Sequence, residues 1–179
     1  PFTIYEQASA LTEIGAAIAL SANGSRELAR FGCLPGLEAT SCEPTELIWR
    51  GWRDHTRVAA HPVRKDCAYR KTYGAPYFGI HRADLQKVMR AQLHGDVIRL
   101  SHRLTGLAET DQGIRLEFHG EDSDVVDLVI GADGIKSRVR DYVARPGAIR
   151  YSGTSAFRGI VPTKELPHLP DPHAIQFWM

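Results

Sequence analysis

The chain has 179 residues, of which 43% are hydrophobic and 24% charged, and a formal charge of +1. That length and apolar content suffice for one domain or for part of a larger one. A near-neutral balance draws the chain neither to nucleic acid nor to an acidic membrane surface, and the cluster Arg64, Lys65, Arg70 and Lys71 reads as a solvated loop. Cys33, Cys42 and Cys67 are odd in number and form no CxxC pair. This disfavours a disulfide framework and a zinc site, so a reducing, cytoplasmic setting is expected. The histidines are scattered without an HExxH pattern, and no metal is expected. The longest apolar run, residues 14–22, is shorter than the roughly 20 residues a membrane helix needs.

In chain order, Phe2 to Glu6 predicts a short strand ending in an acid. Asn23 to Phe31 predicts a helix, with Asn23 as its N-cap and Gly32 just past its end. The pieces LIWRGW and RVAAHPV, between Glu46 and Val63, predict short strands, as does Tyr77 to His81. Leu85, Val88, Met89 and Leu93 then fall at helical spacing, and Gly95 stops that helix. A run of strands follows, in which Ile114, Leu116 and Phe118 alternate with Arg115, Glu117 and His119. Val125 to Ile130 is nearly continuous in apolar residues, the pattern of a strand covered on both faces in a parallel sheet. Lys136 to Ala144 predicts a helix with Val139, Tyr142 and Val143 on one face. Strands around Ser155 to Val161 and Ala174 to Trp178 close the chain. The order predicts a mixed α/β fold, a nucleotide-binding layer interleaved with an antiparallel sheet. Both ends, PFTIYEQ and AIQFWM, look like strand interiors, and the chain reads as an internal piece of a longer protein.

Four stretches carry candidate chemistry. In VIGADGIKSRVR an apolar strand stops at Gly131, Asp133 and Gly134 before a helix. Asp133 is placed either to meet a ligand at the strand's carboxyl edge, beside free helix N–H groups, or simply to cap the helix. Glu6 is placed either to accept ribose hydroxyl hydrogen bonds or to be an ordinary exposed acid. Arg82, in GIHRADL, can grip a diphosphate or pair with a surface acid. In EIGAAIALSANG, Gly15, Ala16, Ala17 and Ala19 leave room for a flat ring or a dinucleotide, or form a buried helix-like packing segment.

The acid-ended strand, then EIGAAIALSANGSRELARFG, GIHRADL, VIGADGIKSRVR and YSGTSAFRGIVP, in that order, resembles the FAD-dependent aromatic hydroxylases, most of all their salicylate-hydroxylase-like branch. The resemblance implies a Rossmann-like FAD-binding layer in residues 1–44 and 81–150, with substrate-domain strands in 45–80 and 151–179. Glu6 is then expected at the adenosine ribose of FAD, and Gly15 and Ala17 beside the flavin. Ala17 stands where the family often has Gly. Arg82 is expected at the diphosphate and ribityl region, Asp133 and Gly134 at the diphosphate, and Arg158 in an active-site role. NADH or NADPH reduces FAD in this family. The reduced flavin forms a C4a-hydroperoxide with O₂, and its distal oxygen passes to an electron-rich ring. Small aromatic substrates and O₂ are the implied partners, with Trp49, Trp52, Phe157 and Phe177 as candidate walls of a water-excluding site. The rival readings are an NAD-dependent reductase without oxygen chemistry and a non-catalytic remnant of a flavoprotein.

Overall fold

A computed structural model of the chain describes residues 1–11, 17–144, 147 and 149–179. The elements are β1 (Ile4–Tyr5), β2 (Ala17–Leu20), α1 (Ala22–Arg30), α2 (Leu34–Thr40), β3 (Glu46–Arg50), β4 (Arg57–Pro62), α3 (Ala68–Tyr73), β5 (Phe78–His81), α4 (Arg82–Arg90), β6 (Ile98–Arg99), β7 (Leu104–Thr110), β8 (Gly113–Phe118), β9 (Asp124–Val126), α5 (Arg138–Val143) and β10 (Ile175–Trp178). The fold class is the mixed α/β one expected, built as several small sheets. The chain divides into two units, Pro1–Leu11 with Gly95–Ala156 and Thr12–His94 with Phe157–Met179.

In the first unit β1 runs parallel to β6, and β7, β8 and β9 form an antiparallel meander. The alternation predicted for β8 holds: Leu116 and Phe118 are buried while Arg115 and Glu117 are exposed. A strand as short as β1 is not stable on its ladder alone. Its Tyr5 ring packs 4.7 Å from Phe118 and 5.6 Å from His102, centroid to centroid, and the Tyr5 hydroxyl donates to the Asp124 carboxylate.

The strand expected over Val125 to Ile130 is corrected here. Only Asp124–Val126 is a strand; it is antiparallel, at the edge of its sheet, and Leu128 and Ile130 are 75% and 85% exposed. The apolar run promised two covered faces, and no described strand or helix covers them. The following helix also begins later, at Arg138, with Ser137 as N-cap, and its Tyr142 and Val143 lie exposed.

In the second unit β2 and β5 pair antiparallel. Ile18, Leu20, Phe78 and Ile80 face a cluster with Cys33, Leu37 and Val88, contributed by α2, α4 and the residue before α2. Fully burying one such aliphatic side chain contributes roughly 1.5–3 kcal/mol. The second sheet has the order β10–β3–β4, with β10 parallel and β4 antiparallel to β3. Leu47, Val63, Tyr69, Ala75, Tyr77 and Ala22 form its core.

Several expectations shift in this unit. Residues 17–20 of the small-residue run form a strand, not a helix-like segment. Ser21, not Asn23, is the N-cap of α1, and Gly32 follows that helix at φ +79° as expected. The helix carrying Val88 ends at Arg90 rather than running on to Gly95. Helix α2 was not predicted, because LPGLEAT carries Pro35 and Gly36. Pro35 falls in the first turn, where its missing N–H costs nothing. A Cβ on Gly36 would lie 3.0 Å from a Val88 methyl, so glycine is what lets α2 approach α4. The strand expected over Ser155 to Val161 does not form: residues 151–162 carry no regular structure and Phe157 is fully exposed. A β-prone run without a neighbouring edge has no ladder to join.

Candidate functional site

Glu6 follows β1 at its carboxyl end and is held by its own backbone. Its N–H donates to Arg99 O at 2.9 Å, and its carbonyl accepts from His102 N at 2.9 Å. Its carboxylate takes the Ala8 N–H at 2.8 Å, which fixes its direction and leaves further lone pairs on both oxygens. Behind it, Tyr5, Asp124 and Arg99 form a tie: Arg99 lies 3.7 Å from Asp124 and over the Tyr5 ring at 5.9 Å. Hydrogen bonding from Tyr5 is the main cause holding the Asp124 carboxyl below its ordinary range; burial opposes it, and the Val125 N–H and Arg99 assist. Burial, then Asp124, pushes the Tyr5 hydroxyl up. Sequence reasoning missed this tie, since it joins residues 119 positions apart.

Asp133 closes a turn onto α5. It accepts from Ser137 Oγ at close range, from Arg138 N at 2.6 Å and from Val139 N at 3.3 Å, and Ser137 Oγ in turn accepts from Arg140 N at 3.0 Å. Burial pushes this carboxyl up, but the bonds from Ser137, Val139 and Arg138 together prevail and hold it below the ordinary range. The first N–H groups of α5, expected to point at a ligand, are therefore taken up within the chain. Gly134 takes φ +77°, which favours glycine, and a Cβ on Gly131 would lie 2.6 Å from Val139 Cβ. The GADG segment thus lies in an irregular stretch that Asp133 ties to the start of α5.

In the second unit, Ala17 and Ala19 share a face of the β2–β5 pair with their partners His81 and Gly79. The opposite face is the one packed on the helices. A Cβ on Gly79 would meet Cys42 Sγ at 3.2 Å and Ile175 at 3.9 Å. Ala17 and Ala19 are exposed on this face, while Cys42 and Ile175 lie against it at Gly79. Arg82 opens α4, with His81 as N-cap. Gly15 lies outside the described residues. Arg158 is exposed in the irregular 151–162 stretch. Of the four aromatic candidates, Trp49 and Phe177 stack at 5.2 Å with their planes 19° apart, whereas Trp52 and Phe157 are 63% and 102% exposed. Among the described residues no group of three or more His, Cys, Asp or Glu is placed to hold a metal, and no helix is long and apolar enough to cross a membrane.

No family model matches the chain. Its fold is similar to that of HpxO from Klebsiella pneumoniae, solved with FAD and uric acid, at 27% identity and a TM-score of 0.64 over 77% of this chain and 34% of that one. The fold is that of FAD-dependent monooxygenases. By sequence the chain is 36% identical over 176 residues to 3-amino-4-hydroxybenzoate 2-monooxygenase of Streptomyces cremeus, covering 98% of this chain and 44% of that protein. It is 32% identical over 176 residues to 6-hydroxynicotinate 3-monooxygenase of Bordetella bronchiseptica, covering 98% and 45%. The chain is a relative of the FAD-dependent aromatic hydroxylases, and spans less than half the length of these curated relatives.

Proposed function

We propose that the protein containing this chain is a flavin-dependent monooxygenase that hydroxylates an aromatic, salicylate-like substrate with NADH or NADPH and O₂. The observation that carries this reading is the 36% identity across nearly the whole chain to a hydroxybenzoate monooxygenase. The substrates named for the two relatives each bear a ring hydroxyl and a carboxylate.

The donor set fits FAD in separate pieces. Glu6, clamped through its own backbone, holds a carboxylate at a strand end, where it can accept ribose hydroxyls. Arg82 supplies a guanidinium suited to a diphosphate, and Ala17 is an exposed small residue that leaves room for a ring system beside it. Asp133 and Gly134 build the turn proposed to border the diphosphate. Gly15 is assigned with Ala17 by resemblance alone. FAD, when bound, supplies the electron transfer and oxygen chemistry. This chain's part is to hold it, to exclude water and to orient the ring. Arg158 is proposed to offset charge on a substrate carboxylate or phenolate. Residues 1–44 and 81–150 are assigned to cofactor binding, and 45–80 and 151–179 to the substrate side. A cytoplasmic setting is part of the proposal, and the free Cys33, Cys42 and Cys67 are in keeping with it.

The test is the visible spectrum of the full-length protein, followed by oxidation of NADH and NADPH with a panel of aromatic acids. Bound flavin, with oxygen uptake stimulated by a substrate and a hydroxylated product, is expected. A colourless protein that is indifferent to O₂ overturns the reading in favour of a reductase, and one that never binds FAD in favour of a non-catalytic remnant.

A further inference from the structure

Among the described residues, one buried side-chain nitrogen or oxygen lacks a hydrogen-bond partner: His61 Nε2. Buried polar atoms in folded proteins are nearly all paired, and an exception commonly marks a group that meets a ligand or water. His61 lies on β4, directly opposite Leu47, so the two side chains leave the same face of the sheet. Trp49 and Phe177 belong to that face as well, two residues further along β3 and β10. Ala59 lies opposite Trp49 and Leu47 opposite His61, so the diagonal from the Trp49–Phe177 stack to the imidazole runs between a methyl group and a leucine side chain. Diagonal neighbours on such a pair lie about 7–8 Å apart, a span that a hydroxylated aromatic carboxylate bridges.

The imidazole packs against two tyrosine rings. Tyr69 meets the imidazole edge to face at 5.9 Å and is buried, its hydroxyl accepting from Ala22 N. Tyr73, also at 5.9 Å, is 44% exposed and ends the six-residue helix α3, with Gly74 following at φ +72°. Tyr73 also packs on Tyr69, centroids 4.5 Å apart, and as the more exposed of the two rings it is the one that a rotamer change can turn aside.

Resting on the proposed function above, we propose that His61 is a substrate-binding residue. With Tyr73 turned aside, Nε2 accepts the hydrogen bond of a ring hydroxyl on an aromatic carboxylate whose ring lies along Trp49 and Phe177. The imidazole then carries its own proton on Nδ1.

The experiment measures binding of benzoate and of 2-, 3- and 4-hydroxybenzoate to the full-length protein by tryptophan fluorescence, without turnover. At least one hydroxybenzoate is expected to bind more tightly than benzoate. His61→Leu should weaken that ligand about tenfold while leaving benzoate nearly unchanged, and His61→Asn should restore part of the loss. Equal weakening of both ligands, failure to distinguish them, or no binding of any hydroxybenzoate overturns the inference. Should His61→Leu fail to fold, the ¹⁵N resonance of His61 Nε2 in the unsubstituted protein decides: it must respond to the hydroxybenzoate and not to benzoate. A protein that hydroxylates with His61 indifferent loses this inference alone. One that binds through His61 yet holds no flavin loses only the reading it rests on.

Discussion

Two apolar regions of this chain end in opposite states. Around the β2–β5 pair, Leu37, Phe78 and Ile80 are 0%, 2% and 3% exposed. In the segment after β9, Leu128 and Ile130 are almost bare. Both runs are rich in apolar residues, yet only the first packs into a core. Apolar character supplies a driving force, but an opposing surface must exist for it to act. The β2–β5 pair has one in α2 and α4. The 127–137 segment is instead held by polar bonds converging on Asp133.

The largest effect that can break this contrast is at Leu37. Leu37→Ala should cost about 2–5 kcal/mol, whereas Leu128→Ala should stay within about 0.5 kcal/mol. Urea unfolding of both variants decides, and comparable losses end the distinction. Next in size is Asp133→Ala, which removes the acceptor for Ser137, Arg138 and Val139. About 1 kcal/mol of local stability should go, read as faster amide exchange across α5, with little change around Leu37.

The pH dependence sharpens the same point. Asp124 and Asp133 are both held below the ordinary Asp value. A depressed carboxyl contributes stability above its unfolded value of about 3.9, and that contribution is lost as pH falls through its lower folded value. The first unit should therefore lose stability on acidification below about pH 4, and Asp133→Asn should flatten that limb. Tyr5 works at the other end. Its raised hydroxyl contributes fully below an unfolded value of about 10 and progressively less as pH rises above it; Tyr5→Phe should abolish that alkaline limb.

The smallest structural effect is expected at Glu6. Glu6→Gln keeps the backbone clamp to Arg99 and His102, so unfolding should shift by no more than about 0.5 kcal/mol. In the full-length protein it should still weaken FAD severalfold, measured by flavin fluorescence on titration. A loss of stability without a change in FAD affinity would recast Glu6 as purely structural.

The sequence alone determined whatever depends on neighbours along the chain. The alternation in Gly113–Phe118 specified β8 and its dry face. The spacing of Leu85 and Val88 specified α4, and the acid after β1 was legible as the end of a strand. The order of short motifs was sufficient to point to the flavoprotein family. What lay beyond it was set by contacts distant in sequence. Gly36 reads as a helix breaker until Val88 is seen against it. The Val125–Ile130 and Ser155–Val161 runs have strand composition, but a strand exists only where a second edge accepts its hydrogen bonds. Tyr5 and Asp124 meet across 119 positions, and His61 reaches the face of Trp49 and Phe177 only through the register of β10, β3 and β4. Local pattern chooses the conformation a segment prefers; tertiary pairing decides whether the preference has a partner, because burial and ladder bonds are properties of two surfaces and not of one.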